Sequence, residues 1–366
     1  MTTVSATLKA FLLPYAQYFR SLGWTVDAMA RDATNEACLS HFDHCWDIPW
    51  SRSPLDPRNL LHAPSLIQNI VKREGYDIVH VHTPVAAFVT RFALRNRSVD
   101  TFPKIVYTAH GFHFYKGGQA LRNCIFLNLE KLAGKWTDKL IVINQEDYDA
   151  AALHHIVPQE DRVYMPGIGL DLEEYRRAPA SETVAKIRSE LGLQADDTLF
   201  TMIAEFNAGK RHRDALQALA LTKNEHLHLA LAGTGPLFQE MQELAASLKI
   251  EDRVHFLGFR KDIPELILAS KATILPSERE GLSRSGMESI CLGVPVIGAD
   301  ARGVRDLITD KNGILFPVGD VKALSEAIAK MAVAPDTAYN TKADDRWDIR
   351  SLIESHENLY GGLLNR

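Results

Sequence analysis

The sequence predicts an α/β protein with two parallel-sheet domains in tandem. Short apolar runs rich in β-branched residues alternate with stretches of helical period, which is typical of βαβ units whose sheets are buried on both faces. The length of 366 residues suits two domains at roughly 100 to 200 residues each. A break in the periodicity from Pro166 to Ser181, which contains two glycines, Pro179 and clustered charges, is expected to connect them.

The first series of elements makes up the first domain. Its predicted strands are Trp24 to Ala30, Asp77 to His82, Lys104 to His110, Lys139 to Asn144 and Arg162 to Met165. Each is short, apolar and bounded by turn residues. The helices predicted among them are Ala6 to Leu22, Asn59 to Glu74, Val85 to Asn96, Ala120 to Trp136 and Glu146 to Leu153. Their apolar residues recur at helical spacing.

The second series follows a helix predicted at Glu182 to Leu191. Its strands are expected at Thr198 to Ala204, His226 to Ala232, Val254 to Leu257, Ala272 to Pro276, Pro295 to Gly298 and Gly313 to Phe316. Beyond Met331 the chain becomes polar, and a helical pattern from about Arg346 to Leu364 predicts a terminal helix with an apolar face to cover. We therefore place the domains at 1–170 and 182–335, with residues 340–366 packing back on the first domain.

Composition excludes several classes of protein. Lysine and arginine total 41 against 46 aspartates and glutamates, and the net charge of −5 argues against a nucleic-acid-binding protein. No apolar stretch approaches the roughly 18 to 20 residues of a membrane-spanning helix, and no secretory signal follows Met1, so we expect a cytoplasmic protein. The four cysteines are scattered, and close histidine pairs such as His226 and His228 lack a third clustered ligand, so no metal site is predicted.

Positive charge is concentrated in the first domain. From Arg52 to Lys139, thirteen basic residues stand against six acidic ones, a local charge of +7. Solvated helix faces would explain this excess, and so would a surface that meets anionic lipid on the inner face of the cell membrane. The predicted helix at Ala120 to Trp136 also carries an apolar stripe, which is expected either to join the core or to dock on the membrane. The stripe consists of Leu121, Cys124, Ile125, Leu132 and Trp136.

Ligands of parallel α/β sheets bind beyond the carboxyl ends of the strands, so the loops there are the candidate sites. The segment E-G-L-S-R-S-G-M-E, from Glu280 to Glu288, follows one predicted strand and opens a helix. A helix start near Ser283 to Ser285 would leave Glu280 in the loop, and free N–H groups at that start suit a phosphate or a sugar hydroxyl. Ser285 and Glu288 also fit a capping box, which would give Glu288 a structural role.

Three further loops carry candidate residues. The segment E-F-N-A-G-K-R-H-R brings Lys210 to the mouth of the second sheet. The turn G-T-G-P, with Gly233 and Gly235, would let the backbone approach a ligand, and it lacks the third glycine of a dinucleotide fingerprint, which argues against a dehydrogenase. The segment T-A-H-G-F-H-F-Y-K-G-G places His110 at the end of a strand. It continues with aromatic residues that could stack on a sugar, namely Phe112, Phe114 and Tyr115.

These motifs, in this order, resemble the family-four retaining glycosyltransferases of GT-B fold, in the branch that assembles capsular and exopolysaccharide repeat units. The resemblance covers nearly the whole chain through H-V-H-T-P, T-D-K-L-I-V-I-N-Q-E-D-Y, M-P-G-I-G-L-D, F-L-G-F-R-K-D-I and G-V-P-V-I. It implies two Rossmann-like domains facing across a cleft, the first for the acceptor and the second for the donor. It also implies transfer of a hexose or N-acetylhexosamine from a nucleotide diphosphate, with UDP expected, to a polyprenyl-diphosphate-linked saccharide.

The resemblance assigns roles to individual residues. Glu288 would bind the ribose hydroxyls, Glu280 the donor sugar near the reacting centre, and Lys210 the diphosphate. Backbone N–H groups of Gly281, Leu282 and Ser283 would help, the L-G-F-R turn with Phe259 and Arg260 would hold the base, and His110 would approach the donor sugar. The acceptor side would comprise Phe112, Phe114, Tyr115 and Lys116. Fixed cations and a helix terminus can stabilise a leaving diphosphate, so neither a metal nor another cofactor is expected.

Two features depart from the family pattern. Glu205 takes the place of an arginine, so another cation, Arg284 or Arg211, would have to compensate near the diphosphate. The chain also looks several residues short at its start, because Met1, Thr2 and Thr3 precede V-S-A-T-L-K-A-F-L-L-P-Y where members have a hydrophobic strand. Because of these departures, one alternative remains open, a nucleotide-sugar-binding protein without transferase activity. A GT-B sugar-nucleotide epimerase is a further alternative.

Overall fold

The chain folds into two compact units of parallel α/β structure. The structure is a computed structural model that describes residues 1–51, 56, 58–96, 103–176 and 181–364. The first unit comprises residues 1–169 and the chain from Ile349 onward, and the second comprises Leu170–Asp348. The change of unit falls within the predicted connecting segment, of which residues 177–180 lie outside the described part of the chain.

The strands of the first unit are β1 (Ala28–Ala30), β2 (Cys45–Asp47), β3 (Ile78–His82), β4 (Lys104–Ala109), β5 (Lys139–Val142) and β6 (Arg162–Tyr164). Those of the second unit are β7 (Thr198–Ile203), β8 (Leu227–Ala232), β9 (Val254–Gly258), β10 (Ala272–Leu275), β11 (Val296–Ala299) and β12 (Gly313–Phe316). Strand β2 was missed by the sequence analysis, since its three residues are too few to show an alternation of apolar and polar side chains.

The helices up to residue 176 are α1 (Ser5–Thr7), α2 (Leu13–Ser21), α3 (Glu36–Leu39), α4 (Arg58–Leu61), α5 (Ala63–Glu74), α6 (Pro84–Ala93), α7 (Ala120–Gly134), α8 (Gln145–Leu153) and α9 (Leu172–Arg176). Those that follow are α10 (Ser181–Glu190), α11 (His212–Thr222), α12 (Phe238–Ser247), α13 (Ile263–Leu268), α14 (Arg284–Cys291), α15 (Val321–Val333) and α16 (Ile349–Leu363). The single helix predicted at Ala6 to Leu22 is interrupted by a π-helical turn at Leu8–Leu12.

The first unit is built on a parallel sheet in the order β3-β4-β5-β6, beside the parallel pair β1-β2. Residues 1–3 join the two, because Thr2 N–H donates to Met29 O and His82 N–H donates to Met1 O. Successive strand residues point to opposite faces. One face carries Ile105 and Leu140 under α5 and α6, and the other carries Val106 and Ile141 under α2 and α16.

The second unit is built on a parallel sheet in the order β12-β11-β10-β7-β8-β9. The chain starts in the middle at β7, adds β8 and β9 on one side, and then crosses to add β10, β11 and β12 on the other. The carboxyl ends of β7 and β10 therefore form a topological switch point, where loops diverge and leave a crevice for a ligand.

The apolar stripe on α7 is not part of the core. Leu121 is 75% exposed, Ile125 is 51% exposed and Leu132 is 42% exposed, whereas Trp136 packs beside Phe88 and Phe92 on α6. Among the described residues, no helix combines the length and the hydrophobicity that crossing a bilayer requires.

A buried ion pair holds α6 against α7 and the sheet. Arg91 is 1% exposed, and its guanidinium donates to the carboxylate of Glu130 at 2.9 Å and to Ala87 O at 3.0 Å. The same guanidinium lies over the ring of Tyr107, 4.1 Å from the ring centroid. A buried charge is tolerated when it is paired and hydrogen-bonded in this way.

Glu130→Gln is expected to destabilise the first unit by about 3 kcal/mol, because it leaves the Arg91 cation buried without its counter-charge. Urea unfolding followed by tryptophan fluorescence measures this. The first unit holds four of the five tryptophans, Trp24, Trp46, Trp50 and Trp136. Asp32→Asn, which removes an exposed contact with Arg31, is the control and should cost less than about 0.5 kcal/mol. Equal unfolding midpoints for the two variants would contradict the expectation.

Candidate active site

The switch point of the second unit brings a lysine and a glutamate together. Lys210 ends a 3-10 turn after β7, and its backbone N–H is capped by the side chain of Asn207. Glu280 lies in the loop after β10. The Lys210 ammonium donates to Glu280 Oε1 at 2.6 Å, and the two side chains are 28% and 12% exposed. The partly buried pair thus places a cation and a carboxylate side by side at the edge of the sheet.

Backbone contacts hold the loop that carries Glu280. Glu278 N–H donates to Gly209 O at 3.0 Å, and Glu280 N–H donates to Arg302 O at 2.9 Å. A Cβ at Gly303, where φ is +73°, would lie 2.3 Å from Gly281 O. The close packing of this loop against residues 302–303 therefore requires glycine at 303.

Helix α14 begins next to this loop and presents Glu288. Ser283 is the N-cap, because its hydroxyl accepts from Gly286 N–H. The alternative interpretation, a capping box formed by Ser285 and Glu288, is therefore excluded, since Glu288 lies in the second turn of the helix, too far along to reach back to the cap. The Glu288 carboxylate, with the residue 7% exposed, accepts from Arg284 Nε and from the hydroxyl of Tyr175 on α9, both at 2.8 Å.

Tyr175 was missed by sequence reasoning, because no motif marks it and its contact spans 113 residues. Burial, followed by the neighbouring Glu288 carboxylate, raises the pKa of Tyr175. The phenol therefore stays protonated and donates to Glu288.

The two candidate replacements for the missing arginine are both engaged with carboxylates. Arg211 pairs with Asp214 at 2.6 Å and with Glu278 at 3.2 Å, and Arg284 pairs with Glu288. The exposed carboxylate of Glu205 accepts instead from the amide of Asn207 at 3.1 Å.

The turn at Gly233 and Gly235 approaches another loop of the protein. A Cβ at Gly233 would lie 2.0 Å from Ala204 O, and a Cβ at Gly235 would lie 2.6 Å from Phe206 O. Phe206 N–H also donates to Thr234 O at 2.9 Å. The segment after β7 thus approaches both glycines closely, and the turn supports the loop of Lys210, while the contact of this turn with a ligand stays a prediction.

The turn after β9 carries two candidate residues, Phe259, which is exposed, and Arg260, whose side chain forms ion pairs. Phe259 is 75% exposed. The guanidinium of Arg260 pairs with Glu190 and with Asp262, each at 2.6 Å. Since the Arg260 side chain is occupied, this turn offers its backbone and the ring of Phe259 to a ligand.

In the first unit, His110 follows β4 and belongs to a histidine cluster. Its Nε2 lies 3.1 Å from Nδ1 of His82, whose ring stacks on His80 at 4.2 Å. His80 in turn contacts the hydroxyls of Thr108 and of Tyr360 on α16. Burial lowers the pKa of His110 to about 4 and the pKa values of His80 and His82 well below their ordinary value, so the rings are neutral near pH 7.

His82 is a second residue that sequence reasoning left without a role. The spacing of His80 and His82 in H-V-H could have indicated that both rings lie on the same face of β3, because side chains two residues apart on a strand share a face.

Two of the aromatic residues assigned to the acceptor are core residues. Phe112 is 1% exposed and Phe114 is 6% exposed, and their rings stack 4.9 Å apart. The prediction that they contact an acceptor is therefore wrong. Phe112 N–H donates to the Asp147 carboxylate, which also accepts from the side-chain amide of Asn144, the N-cap of α8, so this carboxylate is structural. Tyr115 is half-buried and Lys116 is exposed.

Acidic neighbours surround one of the close histidine pairs. His226 Nδ1 lies 3.1 Å from Asp197 and 3.4 Å from Asp196, which the search for clustered ligands in the sequence missed. Asp197 also accepts from Gln194 N–H at 2.8 Å. The expectation that the chain has no metal site stays a prediction.

Comparisons with known proteins converge on one family. The family model "Glycosyltransferase Family 4" matches residues 11–173, and "Glycosyl transferases group 1" matches residues 183–344. Putative glycosyltransferase EpsD of Bacillus subtilis is 36% identical over 99% of this chain and 96% of its own. The UDP-Gal:alpha-D-GlcNAc-diphosphoundecaprenol alpha-1,3-galactosyltransferase of Escherichia coli is 27% identical over 80% of this chain and 77% of its own. The crystal structure of Anabaena Alr3699/HepE in complex with UDP has a TM-score of 0.77 at 19% identity, covering 99% and 98% of the two chains.

The neutral state of His110 makes stability depend on pH in a defined direction. Its pKa is about 4 in the folded chain against about 6.5 when unfolded, so below pH 6.5 the unfolded chain binds a proton that the folded chain does not. Lowering the pH from 7.5 to 5.0 should therefore cost about 2 kcal/mol through this group. His110→Gln should lose that much less than wild type in urea unfolding at the two pH values. An identical loss in both proteins would show that folding does not lower the pKa of His110.

Proposed function

The chain belongs to glycosyltransferase family 4, and from this premise we propose that it is a retaining glycosyltransferase of surface-polysaccharide synthesis. It would move a hexose or N-acetylhexosamine from a UDP-linked donor to a polyprenyl-diphosphate-linked saccharide. Its two parallel α/β units are the Rossmann-like domains of the GT-B fold. The observation that carries the proposal is the Lys210–Glu280 pair at the switch point. The Escherichia coli relative, named for a UDP-linked donor and an undecaprenol-linked acceptor, supports both substrate classes.

Donor binding follows from the residues around the switch point. The Glu288 carboxylate, held by Tyr175 and Arg284, would accept from the ribose hydroxyls of UDP. Backbone N–H groups of Gly281, Leu282 and Ser283, which directly precede the first helical residue of α14, would donate to the diphosphate, because the amino end of a helix carries positive partial charge. The exposed ring of Phe259 and the backbone beside it would take the base.

Bond breaking at the donor sugar places negative charge on the departing diphosphate. The Lys210 ammonium and the amino end of α14 would stabilise that charge without a metal, because fixed cations and dipoles need no reorganisation during the reaction. For retention we propose attack on the same face. The acceptor oxygen bonds to the anomeric carbon as the bond to the phosphate oxygen breaks, and that oxygen takes the acceptor proton. No enzyme nucleophile is then required.

Glu280 would orient the donor sugar. Its backbone N–H donates to Arg302 O, and its carboxylate accepts from the Lys210 ammonium. These two contacts hold the carboxylate in one orientation. A carboxylate there can accept from sugar hydroxyls and balance positive charge that develops on the ring. The role of His110 toward the donor sugar stays a prediction.

Glu280→Gln is expected to lower kcat by about 10² to 10³ while the Kd for UDP changes only a few-fold, because the amide keeps the shape and loses the charge. Donors are first selected by thermal stabilisation with UDP-, GDP- and dTDP-sugars, since a ligand at 100 times its Kd adds about 2.7 kcal/mol. Transfer to an undecaprenyl-diphosphate-linked sugar is then measured. Glu240→Gln, which breaks an exposed ion pair with Arg213 in the same unit, should keep wild-type kcat.

Each other outcome of these assays contradicts part of the proposal. Near-normal turnover by Glu280→Gln would remove Glu280 from the reaction. UDP binding without transfer to any lipid-linked acceptor would favour a binding protein, as Glu205 suggested. Formation of an epimeric UDP-sugar without acceptor would reveal an epimerase, and a product of inverted anomeric configuration, read by NMR, would exclude retention.

We also propose that the exposed face of α7 docks on the anionic membrane that holds the lipid-linked acceptor. The exposed apolar side chains of Leu121, Ile125 and Leu132 lie among the exposed cations Arg122, Lys131 and Lys135. The acid on this helix, Glu130, is turned inward to Arg91. Apolar side chains ringed by cations suit the interface of an anionic bilayer.

The double variant Leu121→Gln/Ile125→Gln is expected to bind phosphatidylglycerol vesicles at least 5-fold more weakly in co-sedimentation, because it removes apolar area that would enter the interface. Neutral phosphatidylcholine vesicles or 0.5 M salt should weaken the binding of wild type. The control is Leu221→Gln, which changes a 53% exposed leucine of the second unit. Unchanged binding by the double variant would place membrane contact elsewhere.

A further inference from the structure

The carboxylate of Glu288 has one occupied oxygen and one open oxygen. Its Oε1 accepts from the hydroxyl of Tyr175 and from Nε of Arg284, both at 2.8 Å. A carboxylate oxygen has two lone pairs, so these two donors saturate Oε1. Oε2 has no hydrogen-bond partner within the described part of the chain. A ligand group that donates to Glu288 therefore meets Oε2.

A short, anchored helix presents the hydroxyl of Tyr175. Helix α9 begins after Asp171, whose carboxylate accepts from Glu173 N–H at 3.1 Å. Leu172 is buried and lies three residues before Tyr175, so the two side chains share one face of the helix. That helix packs against α14, which carries Glu288. The phenol is thus held in place from its own helix and from the helix that it contacts.

Tyr175 restrains Glu288 more tightly than Arg284 does. Tyr175 is 8% exposed, whereas the side chain of Arg284 is 48% exposed. Water and salt weaken a hydrogen bond or ion pair at an exposed side chain, and they reach a buried one far less. The buried phenol therefore sets the direction of Oε1. Because the two oxygens belong to one rigid, planar group, the same contact sets the direction of Oε2.

We propose that Tyr175 is a positioning residue that makes the donor site selective for ribose over 2′-deoxyribose. This inference rests on the proposed function, in which Glu288 accepts from the ribose of UDP. With Oε1 held by Tyr175, the two lone pairs of Oε2 are presented to the neighbouring hydroxyls at C2′ and C3′. A 2′-deoxy nucleotide leaves one of these lone pairs without a donor on a buried carboxylate, and this lowers its affinity.

Calorimetric titrations of the full chain with UDP and with 2′-deoxy-UDP test the inference. Wild type should bind UDP about 10-fold more tightly than 2′-deoxy-UDP. Tyr175→Phe should weaken UDP binding about 5-fold and narrow the ratio of the two Kd values to about 3 or less, because the carboxylate is then free to turn. In transfer assays, KM for the donor should rise while kcat stays within about 3-fold, since the phenol touches no reacting atom.

Tyr339→Phe is the matched control. It removes the hydroxyl of a half-buried tyrosine in the same unit, which has no hydrogen-bond partner among the residues that the structure describes, so both Kd values should stay unchanged. Glu288→Gln separates positioning from a general effect on the fold. An amide nitrogen in the place of Oε2 cannot accept from a hydroxyl, so Tyr175→Phe should not change the ratio of the Kd values further in that background.

The inference is overturned if wild type binds the two nucleotides equally, if Tyr175→Phe keeps the wild-type ratio, or if Tyr175→Phe and Tyr339→Phe behave alike. Should Tyr175→Phe fail to fold, a wild-type ratio in Glu288→Gln overturns it. The two proposals fail separately. Preference for UDP without transfer to any lipid-linked acceptor would contradict the transferase and support the role of Tyr175. Transfer from a UDP-sugar by a wild type that binds UDP and 2′-deoxy-UDP equally would do the reverse.

Discussion

The order of strands in the second unit is the constraint on which the candidate site depends. In a parallel sheet all carboxyl ends lie at one edge, and at the switch point the loops of two neighbouring strands diverge. Lys210 and Glu280, 70 residues apart, meet at 2.6 Å because β7 and β10 are such neighbours. The contacts of Glu278 with Gly209 and of Glu280 with Arg302 then fix the loop after β10 to the loops after β7 and β11. The ion pair is thus a consequence of topology.

In the first unit, the polar rings of several histidines are buried. His80 and His82 lie on β3, His110 follows β4, and α16 supplies Tyr360 and closes the cluster from the far end of the chain. Burial keeps the imidazoles uncharged, so hydrogen bonds suffice where charged rings would need counter-ions. The terminal helix therefore does more than cover apolar surface, because it completes the hydrogen bonds of the cluster next to His110.

Several errors of the sequence analysis share one physical cause. Phe112 and Phe114 face the core, although the same motif is equally compatible with ligand contacts. A motif shows that a close approach or an aromatic surface is needed, and it does not show what approaches. Ser283 is the cap of α14 instead of Ser285, because two serines within three residues satisfy the same local rule and packing selects between them.

The sequence by itself determined the α/β class, most strands to within a few residues, and the loops that carry Lys210, Glu280 and Glu288. These follow from hydrophobic period and turn residues, which act over short distances along the chain. The tertiary structure alone decided the partners. It brought Tyr175 to Glu288 across 113 residues and His82 to His110. Such contacts depend on strand order and helix packing, and local patterns carry no record of which distant surfaces they will meet.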